Sequence, residues 1–349
     1  MLEILREKYK MNSVLIIAEA GVNHNGSLDL ARKLIDVAAT AGVDYVKFQT
    51  FRADKIASKH AAKAEYQAEV TDKNESQLDM LKRLELSYDD HLELMDYCSK
   101  KKIRFLSTPF DLESITLLKE LGVTVGKIPS GELTNLPYLR KMAQSFDSLI
   151  LSTGMSDMNE IEEAVTAITD TGFTKEKLTV LHCNTEYPTP FEDVNLRAMQ
   201  TIAQKLGVQI GYSDHTKGIE VPVAAVALGA IVIEKHFTLD RSMEGPDHKA
   251  SLEPDELIAM TASIRNIEKA LGNGVKEPSP SEMKNRVVAR KSLVALRDLG
   301  SGHILSESDL TSKRPGTGVS PMELYNVVGK ALRKPIRQDD VLTLEHLAE

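Results

Sequence analysis

Lysines, histidines and carboxylates recur at one kind of place in this 349-residue sequence, at the ends of short apolar runs. Lys47 sits in the run Tyr45–Phe48 with Gln49 just beyond it, and Lys127 in Val123–Ile128, followed by Ser130 and Glu132. A lysine inside an apolar run must reach solvent or find an anionic partner. With Ser130, Ser152 and Ser213 nearby, two such ammonium groups would hold a phosphate as point charges plus hydroxyl donors. The alternative is a pair of internal ion pairs, with Glu19 or Glu132 as partners. His215 and His236 end two successive runs. Two imidazoles from adjacent strands can ligate one divalent metal and leave positions open for water and substrate, as a Lewis acid polarising a carbonyl requires. A structural or general-base role is the other reading. The lack of a third histidine or a thiol beside them disfavours a closed zinc site. Asp247, in Glu244-Gly245-Pro246-Asp247-His248, is either a proton carrier or hydroxyl-binding group, or a solvated loop acid.

Eight strand-like runs position these residues: Val14–Ala18, Tyr45–Phe48, Ile103–Ser107, Val123–Ile128, Ser148–Ser152, Leu178–Cys183, Val208–Tyr212 and Ile231–Glu234. They do not alternate apolar with polar, so they read as strands buried on both faces of a parallel sheet. Helical stretches separate them. Ser27 caps a stripe of Leu30, Leu34 and Val37 ending at Gly42. Asp111 caps Leu112, Ile115 and Leu118; Ser156 precedes Ile161, Val165 and Ile168; Pro254 opens Leu257, Met260, Ile264 and Leu271. Eight such units predict a (β/α)8 TIM barrel over residues 1–272. An open doubly wound sheet is the rival, but Glu19-Ala20-Gly21-Val22-Asn23-His24-Asn25-Gly26 lacks its three-glycine phosphate loop. In a barrel all eight polar strand ends share the C-terminal face: Glu19; Lys47 and Gln49; Ser107 and Thr108; Lys127, Ser130 and Glu132; Ser152 and Thr153; Thr185 and Tyr187; Ser213, Asp214 and His215; Glu234, Lys235 and His236. The charged insertion 52–86 is long for such a loop and is expected to help wall a pocket. Residues 273–284, rich in Gly, Pro and Ser, read as a linker. Residues 285–349 read as a small β-rich domain, in which Ile304–Leu310 echoes Val341–Leu347.

The chain carries 43 basic and 51 acidic side chains, a net charge of −8, which argues against nucleic acid or an anionic membrane as partner. The cluster Lys284, Arg286, Arg290 and Lys291 reads as solvated. Two cysteines exclude a disulfide scaffold. No run is long enough to span a bilayer and the first residues lack a signal core, so a cytoplasmic protein is expected. Met11 is an alternative start.

The assembled motifs resemble the bacterial sialic acid (N-acetylneuraminate) synthase family. They are Ala18–Gly26, Val46–Thr50, Ser107–Asp111, Lys127–Glu132, Leu151–Met155, His182–Pro190, Ser213–Thr216 and Glu234–Thr238. The C-terminal stretches Lys313–Gly318 and Val328–Lys330 resemble that family's antifreeze-like (SAF, β-clip) domain. The resemblance implies condensation of phosphoenolpyruvate with N-acetylmannosamine and water, giving N-acetylneuraminate and phosphate. It implies Mn²⁺, or else Mg²⁺ or Co²⁺, on His215 and His236. Lys47, Thr108, Lys127, Ser130, Ser152 and Ser213 would cradle phosphoenolpyruvate; Gln49, Tyr187 and Asp247 would meet the sugar. Glu19, Glu132 and Asp247 are the proton-transfer candidates, Glu132 foremost. A domain-swapped homodimer is implied, with Arg314 entering the partner's site. Relatives acting on diacetamido-trideoxyhexoses to make N,N'-diacetyllegionaminate or pseudaminate share most of these motifs, so such a sugar is the alternative acceptor. A Schiff-base aldolase using Lys127 or Lys235, and a non-catalytic glycan-binding module, are the remaining rivals.

Overall fold

A computed structural model describes residues 13–57 and 75–348. Met11 and the middle of the 52–86 insertion lie outside the described residues. The chain divides into two units, Met1–Gly272 and Asn273–Glu349.

In the first unit the strands are β1 (Leu15–Gly21), β2 (Tyr45–Thr50), β3 (Arg104–Pro109), β4 (Val125–Ile128), β5 (Ser148–Ser152), β6 (Leu178–Cys183), β7 (Gln209–Asp214) and β8 (Val232–His236). They pair in parallel in the order β3-β2-β1-β8-β7-β6-β5-β4. β4 lies against β3 and closes the eight-stranded barrel. Several strands run one to three residues past their apolar runs, because polar side chains at the C-terminal end still turn into the barrel.

The period of two along a strand sorts the side chains. Leu15 and Ile17, Tyr45, Leu106, Val125, Ile150, Leu181 and Val232 form one apolar cluster inside the barrel. The opposite faces, such as Ile16, Val46, Leu149, Val180 and Ile233, join the larger core under the helices. One step of two beyond the inner cluster lie Glu19, Lys47, Thr108, Lys127, Ser152, Cys183 and Glu234, so the apolar layer is the floor beneath a polar one.

Local signals set the helices. In Leu28–Ala41, Ser27 accepts from the Leu30 N–H, Gly42 ends the helix at φ 70°, and Ala31, Leu34, Ile35, Ala38 and Ala41 are buried. Burying each large aliphatic side chain contributes roughly 1.5–3 kcal/mol. Met158–Thr169 is capped by Asp157, not by the neighbouring Ser156. A carboxylate gains more than a hydroxyl at the positive end of a helix, and the Ser156 hydroxyl donates to the Gly154 carbonyl. No helix among the described residues is long and apolar enough to cross a membrane.

The second unit begins inside the segment read as linker, where Pro280–Ala289 is helical with a Ser279–Glu282 capping box. Lys284, Arg286 and Arg290 are exposed on or beside it. β9 (Ser292–Ala295) and β10 (Leu310–Lys313) pair antiparallel. The sequence echo has a structural counterpart. Ser306 and Thr343 each open a short 3-10 turn, through a capping box, with the same backbone angles of φ −117° and ψ 164°. Leu305, Leu310, Leu342 and Leu347, the matched apolar positions, share one core.

Candidate active site

The polar layer above the barrel floor surrounds a cavity of about 360 Å³. Its centre is a ladder of alternating charge. Lys47 Nζ lies 2.6 Å from Glu19 Oε2 and 3.7 Å from Glu234 Oε2. Lys127 Nζ lies 3.2 Å from Glu234 Oε1. Hydroxyls complete the donors and acceptors: Lys47 donates to Thr108 Oγ1 at 2.8 Å, Lys127 to Ser152 Oγ at 2.8 Å, and Ser213 to Glu234 Oε1 at 3.1 Å. Glu19 stands beside Lys47 because β1 and β2 pair in that register, and Ser213 beside Glu234 because β7 and β8 do.

These charges are all buried, and burial sets their proton affinities. It raises the Glu19 carboxyl to about 7 although Lys47 pulls it down. It would raise Glu234 as well, but Lys127, Lys47 and His236 outweigh it and hold that carboxyl at about 2. Burial lowers Lys127. At Lys47 the carboxylates Glu19 and Glu234 overcome burial, and its affinity rises. The two ammonium groups therefore have internal partners, Glu19 and Glu234. Glu132 is not one of them.

His215 and His236 meet at the rim, with ring centroids 5.4 Å apart. Burial pushes His215 down to about 4 and His236 well below its ordinary value, so both rings are neutral. His215 Nδ1 donates to the Asn184 carbonyl, which fixes its tautomer and leaves Nε2 as a lone pair. His236 Nδ1 is buried without a hydrogen-bond partner and lies 3.9 Å from Asp247 Oδ2. Tyr187 packs on the pair, its ring centroid 4.1 Å from that of His215 and 5.7 Å from that of His236. Two neutral, pre-oriented imidazoles with an unpaired ring nitrogen suit a divalent cation. Among the described residues no three His, Cys, Asp or Glu side chains form a ligand cluster, so the protein offers this pair.

A second chamber, of about 250 Å³, adjoins the first through Gln49, Phe110, Tyr187 and His236. Asp247 lies in its wall, its carboxyl raised by burial to about 6 with Lys47 opposing. The described parts of the 52–86 insertion, the helices Ala53–Ile56 and Gln77–Leu84, bring Ile56, Met80, Leu81 and Leu84 to it. Gly21 marks the polar boundary. A Cβ there would stand 3.3 Å from Glu19 Oε1, 3.4 Å from Gln49 Nε2 and 3.5 Å from Asp247 Oδ2.

One expected site residue takes another place. The Glu132 side chain accepts from Asn135 Nδ2 at 2.6 Å, is half-exposed, and is absent from the cavity wall. It follows Ser130 on a tight 3-10 turn, Ser130–Glu132, which turns it away after Ser130 has faced the site. Arg314 belongs to the second unit, where its Nε donates to the Ala289 carbonyl. Lys235, an aldolase candidate, points out of the barrel and pairs with Asp214 in full burial. Glu234, which the spacing exposed only as a polar strand end, is the residue that joins both lysines. Its signal is the i, i+2 step to His236, which puts both on the inner face.

The family model described as the NeuB family matches residues 34–276, and a SAF domain model matches 290–348. The N,N'-diacetyllegionaminic acid synthase of Campylobacter jejuni is 54% identical over 95% of this chain and 99% of that one. The synthase of the same name from Legionella pneumophila is 47% identical over 95% and 94%. Among solved structures, the N-acetylneuraminic acid (sialic acid) synthetase of Leptospira borgpetersenii, in complex with citrate, has a TM-score of 0.69 at 39% identity, covering 78% of this chain and 90% of that one. With the barrel, the lysine–carboxylate cavity and the paired histidines in place, and with a family model spanning most of the catalytic unit, the chain belongs to the NeuB family of nonulosonate synthases, followed by a SAF domain.

Proposed function

We propose that the protein condenses phosphoenolpyruvate with the open-chain aldehyde of 2,4-diacetamido-2,4,6-trideoxymannose and water, giving N,N'-diacetyllegionaminate and phosphate. This replaces N-acetylmannosamine, the first expectation, with the alternative acceptor. The observation that carries it is the near full-length 54% identity to a synthase named for that product, against 39% to one named for sialic acid. The two buried lysines receive the phosphate and carboxylate of phosphoenolpyruvate, with Thr108, Ser130, Ser152 and Ser213 as hydroxyl partners. Glu19 and Glu234 hold the lysines until the substrate takes over part of that pairing. A divalent ion on His215 and His236, manganese by resemblance, would supply the positive charge that polarises the aldehyde oxygen. Gln49, Tyr187 and Asp247 orient the sugar. The enol carbon C3 bonds to the aldehyde carbon, water adds at C2, and the C2–O bond to phosphate breaks. Glu19 and Asp247, facing the site with carboxyls raised toward neutrality, hold and move the protons.

A phosphate-release assay across the diacetamido-trideoxymannose, its altrose isomer and N-acetylmannosamine tests this. The first should give the highest kcat/KM; a preference for either other acceptor overturns the reading. Pyruvate with borohydride should trap no adduct, in contrast to a Schiff-base aldolase.

We place the reaction in the cytoplasm, where unpaired thiols such as Cys98 and Cys183 persist. The active assembly we propose is a homodimer in which Arg314 binds the partner's sugar acyl group. Mixing an Arg314→Ala chain with a Lys127→Met chain should restore activity under subunit exchange; absence of rescue would mean self-contained protomers.

A further inference from the structure

The geometry points to the chamber over the helix Gln77–Leu84 as the element that selects a methyl-terminated acceptor; the inference rests on the function proposed above and names what discriminates its substrate. Val22, Phe51, Met80 and Leu84 are buried against one another as a separate small core, with Ile56, Leu81 and Phe110 packed on it. The same seven side chains line the second chamber. Met80 and Leu84 lie four residues apart and so share a face of their helix. Polar groups enter this chamber as Gln49, Tyr187 and His236, in the wall it shares with the phosphoenolpyruvate cavity, and as Asp247. An acceptor whose aldehyde lies at His236 therefore meets hydrogen-bonding groups along its near part and hydrocarbon at its far end.

That division matches the chemistry of a trideoxy sugar. Its C6 methyl can enter the hydrocarbon wall without stranding a polar group. N-acetylmannosamine presents a hydroxyl at C6. Buried against Met80, Leu84, Val22 and Phe51, that hydroxyl would lose water and find no partner. An apolar wall discriminates against an added hydroxyl by on the order of 100-fold and no more, so the preference should be graded.

Met80→Gln is close in length and supplies an amide to the wall; Val22→Thr replaces one methyl by a hydroxyl at equal size. The ratio of kcat/KM for the diacetamido-trideoxymannose over N-acetylmannosamine is measured for each, with the KM for phosphoenolpyruvate as control. The ratio should fall about 10-fold or more in Met80→Gln and several-fold in Val22→Thr, with that KM unchanged. If Met80→Gln fails to fold, Val22→Thr alone decides. A wild-type enzyme that favours the trideoxy sugar, with variants that lower both acceptors equally, overturns the inference and leaves the proposed function standing. A wild-type enzyme that favours N-acetylmannosamine overturns both.

Discussion

Glu234 carries more of the site than its place in the sequence suggests. One carboxylate serves Lys47 and Lys127, and removing one partner of a buried charge set costs about 3–5 kcal/mol because the rest stay buried. Glu234→Gln should therefore lower the melting temperature, and millimolar phosphate should restore more of it in the variant than in the wild type. Equal phosphate shifts in both proteins would mean the anion does not reach these lysines. The histidine pair makes a separate prediction. His215→Ala and His236→Ala should each abolish Mn²⁺ binding by calorimetry and metal-dependent turnover. Full activity in either would remove it as a ligand.

Strands place these residues, and β1 shows how finely. Its register against β2 shifts between Glu19 and Gly21, and Gly21 takes φ +52°, where a side chain is strained. A methyl group there would press on Glu19 Oε1, which must give by a few tenths of an ångström, and would meet Gln49 and Asp247 at ordinary contact distance. Gly21→Ala should cost about 1 kcal/mol of stability and should lower kcat more than it raises either KM, because Glu19 is the group displaced. A change in the sugar KM alone would refute that placement. The strands, their order along the chain and most caps were legible, since each is written in local apolar runs and in Ser, Asp or Gly at the ends. Asp157 as the true cap, the helix from Pro280 and the turning away of Glu132 were not, because competing local signals are decided by which hydrogen bond the backbone completes.

Among the described residues, burial of histidine dominates the acid response. His24, His215 and His248 are pushed down to about 4 by burial, and His91, His182 and His236 are lowered as well. Unfolded, these groups bind protons near pH 6.5, so acidification from about 6.5 toward 4 favours the unfolded chain. Glu19 and Asp247, raised in the fold, act with opposite sign over part of that range. Six lowered histidines against two raised carboxyls leave a net loss, about 1.4 kcal/mol per pH unit for each net proton. The melting temperature of the metal-free protein should drop steeply between pH 6.5 and 5. A flat profile there would show that the histidines are not held neutral.

The barrel, the second unit with its internal echo, and the residues gathered at the strand ends were readable in the sequence, because periodicity and turn chemistry act over a few neighbours. Which carboxylates face the lysines, the sealing of Lys235 outside the barrel, and the hydrocarbon that an insertion helix adds beside the polar cavity emerged only from the fold. Those outcomes depend on register between distant strands and on the inward or outward turn of alternate side chains, and a shift of one residue would reverse them.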